Sequence, residues 1–549
     1  MKSLNSNETF EKIGQEMLTK FLENNPDAAT GLGLHDPYDY LLPNGSSNRF
    51  LKDLRLLEET LARLSKTVKR EELSDEHKID WELVEIAYEQ SKFAFYEQRA
   101  HELNPDAFTE LGGLVFMMLI RNYAPLEKRM DAIAARIEKI PGYLDEFHSR
   151  FENLHPAKLW IEIAIETAQN MNGLFQFILQ ITKGKIPEAT YGRLRKASEN
   201  LEPVLKKHML WLHGLLQDAS GEWALGKQKF EKLLRLRRLN MTSDEIYQIG
   251  TKYLSELKSE RERLAHELAP GKSGDAVLKT IESNSPKTFE EALEFTRKTM
   301  EEARRFIQEK NLATTYSEDV VLVEETPAFL APMLPFAAMT MPARFDRPQI
   351  GVYIVTRPKD TANLGKHLNY PSIRNTAVHE AFPGHFLQGA ISNRSSIFQL
   401  LAQGTETVEG WAHYCEQMMA EHGFAADLET RFVRVNDMIW RAVRIIVDVK
   451  LSTGEMSFEE AVEMLVREVQ MSREAAEAEV KRYTQTPGYP LSYLLGKHLI
   501  LKLKENVRTR LGSKFDEKSF HDTITANGYM PTSLLQKVFD QKISKRNTS

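Results

Sequence analysis

Two histidines and a glutamate in the segment TAVHEAFPGHFLQ (residues 376–388) are of the types that bind catalytic metals. In the H-E-x-x-H zinc-binding motif, histidines four residues apart share one helix face. Here His385 follows His379 by six residues, which on a regular helix turns the two rings about 240° apart. Pro383 cannot donate to the carbonyl four residues back, and Gly384 accepts unusual backbone angles. We therefore predict that the helix is interrupted between Phe382 and His385 by a two-residue bulge, so that both imidazoles reach one metal ion.

A zinc hydrolase also needs a third protein ligand and an open coordination position. One predicted helix, TETVEGWAHYCEQMM, offers four candidates: Glu406, Glu409, His413 and Glu416. The first three share one face at three- and four-residue spacing, so one can bind the metal while its neighbours orient the ligands. Glu380, next to His379, would be the general base that takes a proton from the attacking water. A His-Glu pair alone is more often a solvated surface feature, so the metal site is a hypothesis.

The remaining chain predicts a mostly helical protein. Segments such as DEIYQIGTKYLSELKSERERLAHEL, from Asp244, place apolar residues three and four apart between charges, as packed helices do. Over about residues 320–356 the composition changes to β-branched residues and proline, and VVLVEE and IGVYIVT each predict a short strand. We expect a small sheet there, beside the helix of His379. We expect two regions packed as one body: a mainly helical part, residues 1–310, and a catalytic part, residues 311–549.

The composition excludes several classes of function. The 549 residues are 42% hydrophobic and 27% charged with a net charge of −6, so nucleic acid is not an expected partner. Cys415 is the single cysteine, which excludes an intramolecular disulfide. The N-terminal residues lack the apolar core of a signal peptide, and the longest clean apolar run, residues 111–120, is too short to span a bilayer. We therefore expect a cytoplasmic protein without a membrane partner, and the motifs of serine hydrolases and phosphate-binding loops are missing.

Several segments resemble a known protein family. HEAFPGHFLQ matches the signature HExxPGHxxQ, and EGWAHYCE matches EGWAxYxE. Both signatures belong to the family catalogued as domain of unknown function 885, whose members are regarded as zinc peptidases. GEWALGKQKFEKLL, MIWRAVRIIVDVKL and VKRYTQTPGYPLSYLLGK resemble further family blocks, so the resemblance covers most of the chain. One departure is visible: where members often have Asp-x-x-x-His, Asp448 is followed by Ser452.

That family is in turn similar to helical gluzincins such as thimet oligopeptidase, carboxypeptidase Taq and angiotensin-converting enzyme. The relation implies two largely helical lobes flanking a deep channel, with one zinc ion per chain on the channel floor. It also implies three ligands and a base, which are His379, His385 and Glu409, with Glu380. In the alternative ligand set, His413 replaces His385 and no interruption of the helix is needed. Otherwise His413 and Glu406 are expected to support the ligands.

Supporting groups follow partly from the same resemblance. GYPLSYLLGK is similar to the GYYSY-type segment of thimet-like peptidases, in which a tyrosine donates to the developing oxyanion. Tyr493 is the first candidate for that role and Tyr489 the second, although both could simply pack the start of a helix. Arg441 and Arg444 could clamp a substrate carboxylate, but arginines three apart more often form salt bridges. The strand IGVYIVT could bind an extended peptide by β-augmentation.

Together these features predict a cytoplasmic zinc metallopeptidase that acts on short peptides, either carboxypeptidase-like or oligopeptidase-like. Its channel would exclude folded proteins. The alternative from another class is a non-catalytic helical protein that retains the fold and binds metal or peptide. The intact Glu380 argues against this alternative, because such a scaffold needs no base. Imidazole and carboxylate ligands also suit Mn, Co and Fe.

Overall fold

The computed structural model describes residues 5–326, 337–358 and 364–548. Over these residues the chain is mostly helical, as the sequence predicts. Its internal contacts divide it into two compact units, Met1–Trp223 and Ala224–Ser549. No helix in the described part of the chain is long and apolar enough to cross a membrane.

The first unit is built from helices throughout its described residues. They are α1 (Ser6–Asn24), α2 (Pro26–Gly31), α3 (Asn48–Thr67), α4 (Asp75–Phe93), α5 (Ala100–Leu103), α6 (Ala107–Ile120), α7 (Leu126–His148), α8 (Lys158–Thr182) and α9 (Glu188–Gln217). Their apolar residues recur three and four apart, as in Ile133, Ile137 and Ile140 of α7, so each long helix buries one face. The pattern thus specifies a packed helical body.

The second unit contains the remaining helices and the sheet. Its helices before the sheet are α10 (Lys227–Leu236), α11 (Ser243–Leu268), α12 (Gly274–Ser283) and α13 (Phe289–Glu309). Those after the sheet are α14 (Gly365–Leu368), α15 (Tyr370–Glu380), α16 (His385–Ser392), α17 (Thr405–Glu421), α18 (Leu428–Thr453), α19 (Phe458–Val469), α20 (Arg473–Gln485), α21 (Ser492–Leu511), α22 (Glu517–Ala526) and α23 (Thr532–Thr548). The sheet precedes the two short helices that carry the histidines.

Helices α10 and α11 share a core with α18, although the sequence suggests a division near residue 310. Phe230 of α10 and Ile246 of α11 are fully buried against Ala442 and Ile445 of α18. This burial groups α10–α13 with the C-terminal helices. The sequence could not indicate this packing, because the apolar face of an amphipathic helix does not show which other helix will pack against it.

The sheet has three strands in the order β1-β3-β2, where β1 is Val320–Glu325, β2 is Ala337–Thr340 and β3 is Ile350–Val355. The two predicted strands are confirmed. The four-residue β2 was not predicted, because it lies within a proline-rich segment. β3 is the central strand, parallel to β1 along its whole length and antiparallel to β2 over residues 352–355. Since both sides of β3 are paired, the prediction that IGVYIVT adds a peptide strand is wrong.

Candidate metal centre

The helix that carries His379 stops directly after it. α15 ends at Glu380, and α16 begins at His385. Between them the chain leaves the helical path, so that the N–H of Gly384 donates to the carbonyl of Val378, 3.1 Å away and six residues back. The predicted interruption is therefore confirmed. It is a complete break between two helices rather than a two-residue bulge.

Local chemistry explains the shape of this break. Pro383 has no N–H to continue the helix, and the peptide bond that precedes it is cis. A Cβ atom on Gly384 would lie only 1.8 Å from the carbonyl oxygen of His379, so glycine alone permits this path. Trp411 of α17 donates its indole N–H to the Pro383 carbonyl at 2.7 Å. The break is thus held by the next helix as well as by its own residues.

The break brings both imidazoles to a carboxylate of α17. Ligand atoms of His379, His385 and Glu409 all lie within 4.8 Å of one another. The two ring centres are 4.8 Å apart, and His385 Nε2 is 3.4 Å from Glu409 Oε2. All three side chains are largely buried. Two imidazoles and one carboxylate are a donor set of catalytic zinc sites, which keep a further position open. The residues therefore fit a zinc ion.

Glu416 of α17 supports His379 from the opposite side. Its Oε1 is 2.7 Å from His379 Nδ1, and its Oε2 accepts a hydrogen bond from the Asn375 amide at 3.0 Å. Burial favours a raised pKa for Glu416, but His413 and His379 hold that pKa well below its ordinary value. Because Nδ1 of His379 faces this carboxylate, Nε2 is left for a metal, as in carboxylate–histidine–metal arrangements. The role of Glu416 was not predicted, although its seven-residue spacing from Glu409 places both on one helix face.

A second cluster of ligand-type groups shares His379. Among the described residues, ligand atoms of His379, His413 and Glu416 also lie within 4.8 Å of one another. His413 is fully buried, its Nδ1 is 2.9 Å from Glu416 Oε1, and burial lowers its pKa to about 3. We interpret this cluster as support for His379, whose Nδ1 it occupies. The alternative in which His413 replaces His385 needs no interruption of the helix, whereas the interruption that the structure contains brings His385 next to Glu409.

Tyr489 orients the carboxylate of Glu409. Its hydroxyl donates to Oε1 at 2.6 Å, which leaves Oε2 facing His385. Burial favours a raised pKa for Glu409, yet hydrogen bonds from His385 and Tyr489 bring that pKa below its ordinary value. The Tyr493 ring lies 5.9 Å from that of Tyr489 and 5.8 Å from that of His413. With Tyr489 engaged by Glu409, Tyr493 is the candidate left for the oxyanion.

Glu380 ends α15 beside the ligand cluster. Its side chain is half-buried and forms no hydrogen bond or ion pair with another described side chain. Burial and then the charge of Glu380 raise the pKa of Tyr353 in β3, so the carboxylate lies within electrostatic range of the sheet. An unpaired carboxylate next to a metal ligand can act as a general base.

Two of the predicted site residues are engaged elsewhere. Glu406 forms a buried ion pair with Arg237 and does not join either histidine cluster. Arg444 donates from Nε to the Tyr483 hydroxyl at 2.8 Å and from Nη2 to Glu479 at 3.1 Å. An arginine held in this way is not free to clamp a substrate.

Arg441 keeps a free donor. Its Nη1 donates to the Asp437 carbonyl at 3.1 Å, and its Nε has no partner among the described residues. Burial lowers the pKa of His413, and the positive charge of Arg441 lowers it further. The Asp437 carboxyl, which the sequence did not single out, lies within electrostatic range of Arg441, Glu416 and His379. Burial raises the pKa of Asp437 to about 6, and Arg441 opposes that rise.

Close packing of two glycines brings α21 and its tyrosine to the site. A Cβ atom on Gly410 of α17 would lie 2.2 Å from the backbone of Gly496 in α21. The two helix backbones therefore touch at this point, which places Tyr493 of α21 within range of the His413 ring.

Two solved structures are similar to this chain. One is a putative lipoprotein of unknown function from Shewanella oneidensis, with 21% identity and a TM-score of 0.78, over 96% of this chain and 99% of that one. The other is the putative lipoprotein from Colwellia psychrerythraea, with 18% identity and a TM-score of 0.85, over 99% of this chain and 100% of that one. At these identities the likeness shows the fold alone.

No curated protein matches the chain. The family model described as "Bacterial protein of unknown function (DUF885)" matches residues 26–538. This range contains the broken histidine segment and the helix that supplies Glu409, as well as most of both units. The chain therefore belongs to the DUF885 family of bacterial proteins.

Proposed function

We propose that this protein is a zinc-dependent metallopeptidase that hydrolyses short peptides. The observation that carries the proposal is the convergence of His379, His385 and Glu409 in spite of the six-residue histidine spacing. The break that permits it gives up regular helical hydrogen bonds and is held by the Trp411 indole. A metal ion bound by both imidazole rings would account for this arrangement.

The proposed mechanism assigns one task to each group of this chain. When bound by the two histidines and Glu409, a zinc ion would polarise the peptide carbonyl and lower the pKa of water. Glu380 would accept the proton of the attacking water and return it to the leaving amine. Tyr493 would donate to the oxygen that becomes negative during the attack. Glu416 keeps the proton of His379 on Nδ1, so that Nε2 presents its lone pair.

The substrate termini and the cellular location are further parts of the proposal. Arg441 is half-buried, and among the described residues only its Nη1 donates, to the Asp437 carbonyl; it is the candidate cation for a terminal carboxylate, and its use would make the enzyme a carboxypeptidase. The sequence features favour the cytoplasm, whereas the word lipoprotein in the names of the similar structures points elsewhere. Fractionation of bacterial cells that produce the protein decides between the two locations.

The test combines a peptide library with one substitution. Zinc-loaded protein is incubated with a mixed library that contains each peptide as free acid and as amide, and products are identified by mass spectrometry. Glu380→Gln should keep its metal content and its fold but lose activity by about 100- to 10,000-fold, the usual contribution of a general base. Glu474→Gln, an exposed glutamate in the first turn of α20, is the matched control and should keep full activity.

Each outcome of this test assigns the protein to a class. Cleavage of free acids but not of amides indicates carboxypeptidase action through Arg441. Metal-loaded wild-type protein that cleaves nothing would support the non-catalytic metal- or peptide-binding alternative. Full activity of Glu380→Gln would show that another group is the base.

A further inference from the structure

Tyr489 reaches the metal centre from a short loop between α20 and α21. Its hydroxyl donates to Glu409 Oε1 at 2.6 Å. The loop contributes no other hydrogen bond to the three candidate ligands among the described residues. The orientation of Glu409 therefore depends on where this loop holds Tyr489.

Asp448 of α18 clamps the loop on both sides of Tyr489. Its Oδ1 accepts the N–H of Gly488 and its Oδ2 accepts the N–H of Leu491, both at 2.9 Å. The Ser452 hydroxyl, one helical turn further along, donates to Oδ1 at 3.0 Å. Asp448 is only 1% exposed, so these donors replace the water that its carboxylate loses on burial.

Arg237 binds a backbone carbonyl of the same loop. Nη1 donates to the carbonyl of Gly488 at 2.5 Å, and Nη2 donates to the Ser492 hydroxyl at 2.9 Å. Glu406 neutralises this buried arginine. The N–H and the carbonyl of Gly488 are thus bound by side chains of opposite charge, which fixes the two peptide units on either side of the Gly488 Cα, next to Tyr489. Glu406, expected beside the metal ligands, acts on the loop instead.

We propose that Asp448 is a positioning residue of the metal centre: it holds Tyr489 against Glu409 and so sets the direction of the Glu409 carboxylate. The inference rests on the proposed function, because it takes Glu409 as a metal ligand. Asp448 touches neither the ligands nor the space between them, and its effect passes through Tyr489. In Asp448→Asn one carboxylate oxygen becomes an amide that cannot accept a backbone N–H. The loop then loses one of its two anchors.

A double-mutant cycle in zinc affinity tests the proposal, with affinity measured by competition with a coloured chelator. Asp448→Asn and Tyr489→Phe should each weaken zinc binding by about 10- to 100-fold, the usual loss for a group that orients a ligand. The double variant should bind zinc no more weakly than Tyr489→Phe alone, because both changes remove the same support. The absorption bands of bound Co²⁺ should shift alike in both single variants.

Asp106→Asn is the matched control for loss of a carboxylate that accepts two backbone N–H groups. Asp106 accepts the backbone N–H groups of Phe108 and Thr109 in the first unit, at the start of α6. Its substitution should lower the unfolding midpoint and leave zinc affinity unchanged. Should Asp448→Asn fail to fold, Ser452→Ala removes only one of the three donors. It should weaken zinc binding less than tenfold, and not at all in the Tyr489→Phe background.

The outcomes separate this inference from the proposed function. If wild-type protein binds no zinc, the metal function fails and the inference fails with it. If wild-type protein binds zinc but Asp448→Asn binds equally well, only the inference is overturned. The same holds if Asp448→Asn and Tyr489→Phe weaken binding additively, since Asp448 would then act by another route.

Discussion

The chain contains the dipeptide Pro-Gly in two helical segments, with opposite results. Pro141-Gly142 lies inside α7, which continues without interruption from Leu126 to His148. Gly142 is exposed, and a Cβ atom there would meet nothing within 4 Å. The buried Ile137, Ile140 and Leu144 lie three or four apart across this point, so their packing requires a continuous helix. Here the proline removes one helical hydrogen bond without ending the helix.

Pro383-Gly384 separates two helices instead. The groups to be brought together, His379 and His385, are six residues apart and cannot share a face of a continuous helix. Gly384 is pressed against the His379 carbonyl, and Trp411 binds the carbonyl of Pro383. The dipeptide Pro-Gly therefore permits a break in a helix but does not by itself cause one. Tertiary contacts and the spacing of the groups that must converge decide the outcome.

The largest expected effect comes from restoring the helix at the second site. In Pro383-Gly384→Ala-Ala, the new Cβ at position 384 cannot take the present path, and alanine favours a regular helix. His385 then turns away from His379. We expect zinc affinity to fall by more than about 100-fold, beyond the usual loss for groups that only orient a ligand. Chelator competition measures the change.

Deletion of the same two residues sharpens this prediction. The deletion leaves the histidines four apart, so a continuous helix places both rings on one face. Part of the zinc affinity should return relative to Ala-Ala. If Ala-Ala itself binds zinc as tightly as wild type, the break is not what forms the site.

A smaller loss of zinc affinity is expected when the carboxylate that supports the His379 ring is replaced. Glu416→Gln keeps the shape but replaces the carboxylate that faces Nδ1 of His379. We expect zinc affinity to fall by about 10- to 100-fold, with little change in the circular dichroism spectrum. An unchanged affinity would contradict the view that Glu416 aims His379 at the metal.

Loss of the hydrogen bond between Trp411 and the Pro383 carbonyl should lower zinc affinity less. Trp411→Phe removes the donor to the Pro383 carbonyl while keeping an aromatic ring in the core. One hydrogen bond contributes about 0.5–1.5 kcal/mol, so we expect zinc affinity to fall by roughly three- to tenfold. Isothermal titration calorimetry measures the difference. A loss as large as that of Ala-Ala would mean that Trp411 alone sets the break.

The substitution of the other Pro-Gly pair, in α7, should leave zinc binding unchanged. Pro141-Gly142→Ala-Ala improves helix propensity in α7 by about 4 kcal/mol, about 3 from the proline and about 1 from the glycine, and α7 contains no candidate ligand. The thermal unfolding midpoint should rise while zinc affinity stays at the wild-type value. A change in zinc affinity here would show that the two Pro-Gly sites are not independent.

Local signals in the sequence predicted much of the fold and part of the site. The helices, two of the strands and the interruption before His385 follow from periodicity, β-branched runs and proline chemistry. The same proline chemistry applies to Pro141, whose helix nevertheless continues, because the contacts that decide between the two outcomes come from distant segments. Trp411 is 28 residues from the carbonyl that it binds.

The supporting residues were harder to predict for the same reason. Arg237 and Gly488 are 251 residues apart, and nothing near either residue indicates their contact. Arg444 could be taken for a substrate clamp because its partner Glu479 lies on a different helix. The role of Glu416 was missed too, although its spacing from Glu409 and His413 is that of one helix face.

The central claim is that the break makes one metal site from His379, His385 and Glu409. An anomalous difference map at the zinc absorption edge, from crystals of zinc-loaded protein, tests it most directly. We predict one peak per chain, bonded to Nε2 of both histidines and to Glu409 at about 2.0–2.2 Å. A peak among His379, His413 and Glu416, or no peak at all, would contradict it.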